Sequence, residues 1–221
     1  MKTLQTKLSL NQEQLKLIAC ITMLIDHIGA ILVPNHIWFR VVGRLSFPIF
    51  AFLLVEGSVH TKNPNKYMFR LVIAAVLSER IYDLTRTGYY PDMEYQNIMV
   101  TLLLGFIMLQ CIKDCNNQYL KIAMALPFMF LNDILHGCYE SYGIVIILMF
   151  ALTRNRDDKL AINGIAMLLL GILQNSIQLF AATAAPIIAL YNGEKTSNIK
   201  AVQIGFYLFY PIHLWLLYFI S

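Results

Sequence analysis

Charged residues are scarce in this chain. Asp, Glu, Lys and Arg make up only 14% of its 221 residues, whereas 58% are hydrophobic, and the mean hydropathy is +0.60. A soluble domain normally carries about 25% charged residues. The composition therefore predicts an integral membrane protein that has the lipid bilayer as a partner, and each charge that it retains needs a reason.

Several other features are missing. The net charge is +4, but no basic block or aromatic-interleaved basic stripe occurs, so a nucleic-acid partner is not expected. The four cysteines lack the His or second Cys pair of a zinc motif, which favours structural thiols; they are Cys20, Cys111, Cys115 and Cys138. Because no repeat, linker or low-complexity tract interrupts the chain, residues 1–221 are expected to form a single transmembrane domain.

Nine apolar runs approach the length of about 20 residues that crosses a bilayer. They cover residues 15–33, 45–59, 67–82, 97–112, 119–135, 142–152, 160–173, 177–191 and 202–220. The fold class predicted is all-α, a polytopic transmembrane helical bundle of about nine helices, with eight to ten allowed because several runs are short. The first run lacks a small-residue cleavage pattern after it, so it is expected to be a retained helix rather than a signal peptide.

The distribution of basic residues predicts the topology. With nine helices and the N-terminus inside, all but four of the 17 Lys and Arg residues fall in one set of alternate loops, which the positive-inside rule assigns to the cytoplasm. The four exceptions are Arg40, Arg44, Arg80 and Arg86. The unusual polar residues then collect toward the outward side, as a water-accessible active site or a transport vestibule would require.

His27 is the candidate general base. A general base takes a proton from a reacting group, and neutral imidazole titrates near the working pH. Asp26 precedes His27 and points about 100° away on a helix, so it is expected to hold an arginine from another segment. Hydrogen bonding to neighbouring helices is the alternative for both residues.

Arg40 and Arg44 are four residues apart and would share one face of a helical or re-entrant segment. Planar guanidinium groups bind phosphate or carboxylate in a two-pronged way, which suits an anionic substrate group. Snorkelling to lipid headgroups, beside the aromatic Trp38, is the alternative. Pro48, just inside the next run, is expected to break a backbone hydrogen bond locally and so to let the chain bend around the site.

Further polar pairs occur at helical spacing. Glu56 and His60 fit either an acid/base pair or a structural ion pair of Glu56 with Lys62, Lys66 or Arg70. Glu79 and Asp83 share a face, with Arg80 able to neutralise Asp83. The spacing of Asn132, Asp133 and His136 permits metal ligation, but so few ligands are weak grounds, and no metal is expected.

The sequence resembles the TraX family, which is named for a membrane protein of conjugative plasmids associated with N-terminal acetylation of pilin. The matching pieces are Asp26-His27, Gly43-Arg44 through Glu56-Gly57, Ser78-Glu79 with Asp83, Gln96-Asn97, and Tyr210-Pro211 with His213. The resemblance implies a multi-pass acetyltransferase of the bacterial cytoplasmic membrane that uses acetyl-CoA. Arg80 stands where relatives carry an apolar residue.

With the resemblance included, the expected site has a catalytic and a substrate-binding part. The catalytic residues are His27, Asp26 and His213, and the substrate-binding residues are Arg40, Arg44, Glu56, Glu79, Asp83 and Asn97. The acceptor is an amine or hydroxyl of an envelope or pilin-like molecule: a protein N-terminus, a sugar or a small amine. A proton-coupled transporter and a non-enzymatic assembly factor are the alternatives.

An outward site raises a difficulty for the donor, because acetyl-CoA is cytosolic. Either the donor reaches the site through a tunnel between helices or the acyl group is handed across. A tunnel predicts polar residues along the bundle axis, with Glu56, His60, Gln174, Asn175 and Gln178 as candidates.

Overall fold

The computed structural model describes residues 9–154, 158–174, 176–194 and 200–221, with side chains from residue 204 onward in the last segment. The helices are α1 (Gln12–Ile31), α2 (Ile37–Gly43), α3 (Ser46–His60), α4 (Pro64–Thr87), α5 (Ile98–Ile112), α6 (Gln118–Ile134), α7 (Glu140–Thr153), α8 (Lys159–Gln174), a 3-10 helix (Ser176–Thr183), α9 (Ala184–Ala189) and α10 (Lys200–Ile220). No strand occurs in these segments, which contain only isolated bridges. The all-α prediction is therefore confirmed for the described part of the chain.

Each of the nine predicted runs coincides with helical structure. The run at 177–191 is divided into the 3-10 helix and α9, and Pro186 lies in the first turn of α9. Because proline has no amide hydrogen, it cannot continue the hydrogen bonding of a preceding helix but is tolerated in a first turn. Helix α4 runs past the predicted end, to Thr87, where Gly88 adopts a left-handed conformation with φ of 80°.

Pro48 lies just inside α3, as expected, but it breaks no intrahelical hydrogen bond. It is the third residue of α3, where the backbone amide would have no intrahelical partner in any case. The chain turns instead at Arg44 and Leu45, between α2 and α3. This earlier break is what separates the short helix that carries Arg40 from the long apolar helix that follows.

The membrane character rests on two features. Two stretches are long and apolar enough to cross a bilayer, namely Gln12–Ile31 and the combined stretch Ile37–His60. In addition, α4 exposes large apolar side chains with the spacing of one helix face; they are Phe69, Val72, Ile73, Val76 and Leu77. A contiguous apolar stripe of this kind is typical of a surface covered by lipid or protein.

The chain divides into two compact units. Unit 1 comprises Met1–Leu53 and Asn155–Phe206, and unit 2 comprises Leu54–Arg154 and Tyr207–Ser221. In unit 1, α1 packs on α2, and α8 packs on the 3-10 helix and α9. In unit 2, the helices α4 to α7 pack in chain order, and α5 also contacts α7. The single domain expected from the sequence stays a prediction.

Charge is separated between the two ends of the α4–α7 bundle in unit 2. Successive packed helices with short connections run in opposite directions, so alternate loops lie at the same end. The basic end carries Lys62, Lys66, Arg70, Lys113, Lys121 and Arg154 against Glu56 and Asp114, whereas the acidic end carries Glu79, Asp83, Asp92, Glu94, Asp133 and Glu140 against Arg80 and Arg86. This pattern is typical of a bundle whose basic end faces the cytoplasm.

Candidate functional site

An ion cluster joins α1 to α2 in unit 1. Arg40 Nη1 lies 2.7 Å from Asp26 Oδ2, and Arg44 Nη2 lies 2.8 Å from Asp26 Oδ1. Arg40 also donates to the backbone carbonyl of Asp26 at 3.2 Å. The expectation that Asp26 holds an arginine from another segment is therefore confirmed, and the carboxylate holds two.

Arg44 is the more firmly held of the two arginines. Its side chain is 10% exposed, against 33% for Arg40. Its Nε donates to the carbonyl oxygen of Arg40 at 3.2 Å while Nη2 binds Asp26, so the guanidinium is oriented in two directions. Two arginines on one carboxylate leave a formal excess of one positive charge, which keeps the cluster attractive to an anion. Binding of an anionic substrate group stays a prediction.

Two glycines permit the close approach of α2 to α1. A Cβ at Gly43 would overlap the carboxylate of Asp26, and one at Gly29 would overlap Phe39. Ser46, at the start of α3, adds a hydrogen bond from its hydroxyl to the carbonyl of Ala19 at 3.0 Å. The position of the Asp26 carboxylate is therefore fixed by packing as well as by charge.

His27 lies half-buried on α1, one residue after the ion cluster. Because it follows Asp26 directly, its imidazole leaves the helix on a different side from the carboxylate. Trp38, by contrast, is 71% exposed, as the aromatic belt of the snorkelling alternative would require. Asp26, Arg40 and Arg44 thus form one cluster in unit 1, and His27 is the next residue of α1 after Asp26.

A second polar cluster lies at the acidic end of unit 2. Asn97, which is fully buried, donates from its side-chain amide to Glu79 Oε2 and to the carbonyl of Ala75, the latter at 2.9 Å. The side-chain oxygen of Asn97, Oδ1, accepts from the backbone amide of Met99 at 2.9 Å and so caps the start of α5. One side chain therefore links α4 to the first turn of α5.

Asp83 is bound differently from the expected pairing with Arg80. Its Oδ2 accepts from the backbone amide of Asp92 at 2.9 Å, and Arg80 is exposed. Arg86 supplies the nearby positive charge, since it lies 3.5 Å from Asp92 and 3.0 Å from Glu94. Within the described segments, the buried atoms Glu79 Oε1 and Asp83 Oδ1 have no hydrogen-bond partner.

Glu56 forms an ion pair, but with none of the three cations considered from the sequence. Its Oε1 lies 2.7 Å from Arg154 Nε, at the end of α7. His60 Nδ1 is 3.8 Å from Glu56 Oε2 and 2.8 Å from the Glu56 carbonyl. The contact between residues 98 positions apart was missed, because no sequence pattern signals it.

The residues Asn132, Asp133 and His136 order the connection between α6 and α7. The amide of Asn132 donates to the Glu140 carbonyl at 2.7 Å, and Asp133 accepts from the amide of Ser141. His136 is exposed and faces the ring of Tyr95 at 6.0 Å. No group of three or more His, Cys, Asp or Glu able to hold a metal ion occurs in the part of the chain that the structure describes.

His213 is buried in α10, with 3% of its surface exposed. One ring nitrogen, Nδ1, lies 2.8 Å from the carbonyl of Phe209, and the imidazole stacks on the Phe209 ring at 4.8 Å. Tyr210, also buried, lies 5.7 Å away. These contacts fix the orientation of the His213 ring.

The residues considered for a donor tunnel differ in burial and lie in different parts of the chain. Gln178 is buried in unit 1, whereas Gln174 is exposed. Glu56 and His60 belong to unit 2, and Asn175 lies outside the described residues. The donor tunnel stays a prediction.

The comparisons with known proteins cover nearly the whole chain. The model of the family described as "TraX protein" matches residues 11–221. A protein of Dichelobacter nodosus named "Probable fimbrial assembly protein FimC, serogroup H1" is 27% identical over 232 aligned residues, which cover 92% of this chain and 93% of that protein.

A second relative, "Uncharacterized protein RP591" of Rickettsia prowazekii (strain Madrid E), is 33% identical over 94 residues. That alignment covers 42% of this chain and 34% of the relative. No solved structure gives a significant match. The family match extends over α1 to α10 and includes both polar clusters, and the chain therefore belongs to the TraX protein family.

Proposed function

We propose that the chain is an integral membrane acetyltransferase that transfers an acetyl group from acetyl-CoA to an amine or hydroxyl of an envelope or fimbrial acceptor. The observation that carries the proposal is the Asp26–Arg40–Arg44 ion cluster on an apolar helix in which His27 directly follows Asp26. Ionisable groups at such depth are costly and generally functional. The name of the Dichelobacter relative supports an acceptor that takes part in fimbrial assembly.

In the proposed acetyl transfer, the candidate residues have separate roles. His27 takes the proton of the acceptor N–H or O–H as the acceptor attacks the thioester carbonyl. The tetrahedral intermediate collapses, the C–S bond breaks, and the thiolate of coenzyme A leaves and takes up a proton. The two positive charges of Arg40 and Arg44 exceed the single negative charge of Asp26, so this cluster stabilises negatively charged groups nearby. The substrate-binding roles expected for Glu79, Asp83 and Asn97 stay predictions, and His213 is the alternative base.

The same proposal places the protein in the bacterial cytoplasmic membrane as a multi-pass protein with its N-terminus inside. The apolar stripe on α4 supports contact with lipid. The separation of charge between the two ends of unit 2 supports a cytoplasmic basic end and an outward acidic end.

A proton-coupled transporter is the second candidate. It is favoured by the two buried carboxylate oxygens of Glu79 and Asp83, which have no hydrogen-bond partner among the described residues and would suit proton or cation binding. The two candidate functions differ in what the protein does to its substrate. The acetyltransferase converts acetyl-CoA, whereas the transporter moves an ion.

The test uses the purified full chain in detergent with acetyl-CoA and candidate acceptors. Release of free coenzyme A that depends on both the protein and the acceptor is expected. Reconstitution into liposomes with a pH-sensitive dye provides the comparison. Ion-driven flux without coenzyme A release would replace the acetyltransferase by the transporter.

A further inference from the structure

Arg70 lies between two tyrosine rings at the basic end of unit 2. Its guanidinium carbon is 5.5 Å from the centroid of the Tyr67 ring and 5.6 Å from that of Tyr207. Tyr67 also stacks on Phe106 at 4.5 Å with ring planes 8° apart. The guanidinium is therefore positioned by aromatic faces.

The aromatic contacts do not satisfy the hydrogen-bond donors of the Arg70 guanidinium. No ion pair of Arg70 occurs within the described residues, and its buried Nε has no hydrogen-bond partner there. A buried donor without an acceptor is unfavourable, more so when it carries charge. Cation–π attraction offsets part of this cost but accepts no hydrogen bond. Arg70 as a whole is only half-buried, so the remaining donors of its guanidinium are available to an anion.

The surroundings favour an anion with more than one negative charge. Lys66 is four residues before Arg70 and shares its face of α4, and Lys62 precedes the helix. The carboxylate of Glu56, which belongs to this end, is already bound by Arg154. A phosphate ester suits such a site, since guanidinium binds phosphate in a two-pronged way and lysine adds a point charge.

We propose that Arg70 and Lys66 form a phosphate-binding site at the basic end, separate from the Asp26 cluster. Within the acetyltransferase proposed above, on which this assignment rests, the ligand is a phosphate of coenzyme A, and the donor enters from the cytoplasmic side. Phosphate in the headgroup of an anionic lipid has the same chemistry and is the second source of the ligand.

The experiment measures binding rather than turnover. The full chain is placed in nanodiscs of neutral phosphatidylcholine, and coenzyme A is titrated into wild type, Arg70→Gln, Arg70→Lys and the control Arg80→Gln. Arg80 is an exposed arginine on the same helix, so its variant removes equal charge without touching the site. Arg70→Gln is expected to weaken binding by about 10- to 100-fold, since hydrogen bonds to charged groups contribute to this extent.

Arg70→Lys should recover only part of the affinity, and Arg80→Gln should bind as wild type does. Lys66→Gln, which changes an exposed side chain, tests the site if Arg70→Gln fails to fold. In a second arm, retention of phosphatidylglycerol is measured by native mass spectrometry. Loss of lipid retention in Arg70→Gln with unchanged coenzyme A affinity would support the phosphate site and assign it to lipid.

If Arg70→Gln changes neither the affinity for coenzyme A nor the retention of phosphatidylglycerol, the phosphate site is wrong. A wild type that binds no coenzyme A would instead remove the donor from the proposed function, and the lipid arm would still decide the site. Failure of the inference and failure of the proposed function are thereby distinguished.

Discussion

Gly43 lies so close to Asp26 that a Cβ at residue 43 would overlap the carboxylate. Gly43→Ala should therefore displace Asp26 from Arg40 and Arg44. Overpacking of this kind costs about 1–3 kcal/mol, and loss of the carboxylate geometry should lower acetyl transfer as well. The measurement is the melting temperature in detergent together with turnover.

Gly205 provides the matched control for this substitution. It also lies in a helix, but a Cβ there would meet nothing within 4 Å. Gly205→Ala should be neutral or slightly stabilising, because alanine is the better helix former. If Gly43→Ala melts at the wild-type temperature or above it, the close fit between α1 and α2 is not what positions Asp26.

His27→Ala should lower turnover by roughly 10²- to 10⁴-fold, since it removes the proposed general base. The variant should still fold and bind the donor. His213→Ala is the companion measurement. A loss of less than a few-fold in His27→Ala, with a large loss in His213→Ala, would transfer the base assignment to His213.

Arg44→Lys should be more damaging than Arg40→Lys. Arg44 uses Nε and Nη2 for two different acceptors and is nearly buried, and an ammonium group cannot reproduce both contacts. Donor and acceptor affinities are measured separately for each variant. Unchanged affinity for both substrates in both variants would remove the anion-binding role and leave headgroup snorkelling.

Asn97→Asp should be strongly destabilising. The change replaces the amide that donates to Glu79 and to the Ala75 carbonyl with a second carboxylate beside Glu79. The loss of buried hydrogen bonds and the repulsion of like charges together should cost more than about 2 kcal/mol. Thermal unfolding of Asn97→Asp and of the double variant Glu79→Gln/Asn97→Asp checks the cause, because the double variant removes the repulsion and should recover part of the loss.

The topology predicts the side of two reporters. A reporter fused after Ser221 should be extracytoplasmic, and one inserted between Arg154 and Lys159 should be cytoplasmic, since basic loops remain inside. Reporter activity in intact cells against permeabilised cells provides the measurement. The opposite pattern would turn the acidic end of unit 2 toward the cytoplasm.

Local features of the fold were predictable from the sequence. The lengths of the apolar runs gave the helices, because hydrophobic length sets the number of crossings. The pairing of Asp26 with an arginine of another segment followed from the cost of an unpaired charge in an apolar helix. The geometry of consecutive residues on a helix excluded His27 as its simple partner.

Long-range partners were not predictable in the same way. Arg154 binds Glu56 across a separation of 98 residues, and helical spacing offered only nearer cations. Asp83 binds the backbone amide of Asp92 rather than Arg80, and Arg86 approaches Asp92, because the loop between α4 and α5 folds back on the end of α4. Gly43 gave no signal by itself, since its role depends on how closely α2 packs on α1.

Under the proposed function, this chain moves an acetyl group with His27 as base. The most direct measurement supplies isotope-labelled acetyl-CoA to purified wild type and to His27→Ala, each with a fimbrial-type acceptor, and follows the label by mass spectrometry. Wild type is expected to place labelled acetyl on an amine or hydroxyl of the acceptor. With His27→Ala, the amount of label should fall by at least about 10²-fold. An acceptor without label, or equal labelling by both proteins, would contradict it.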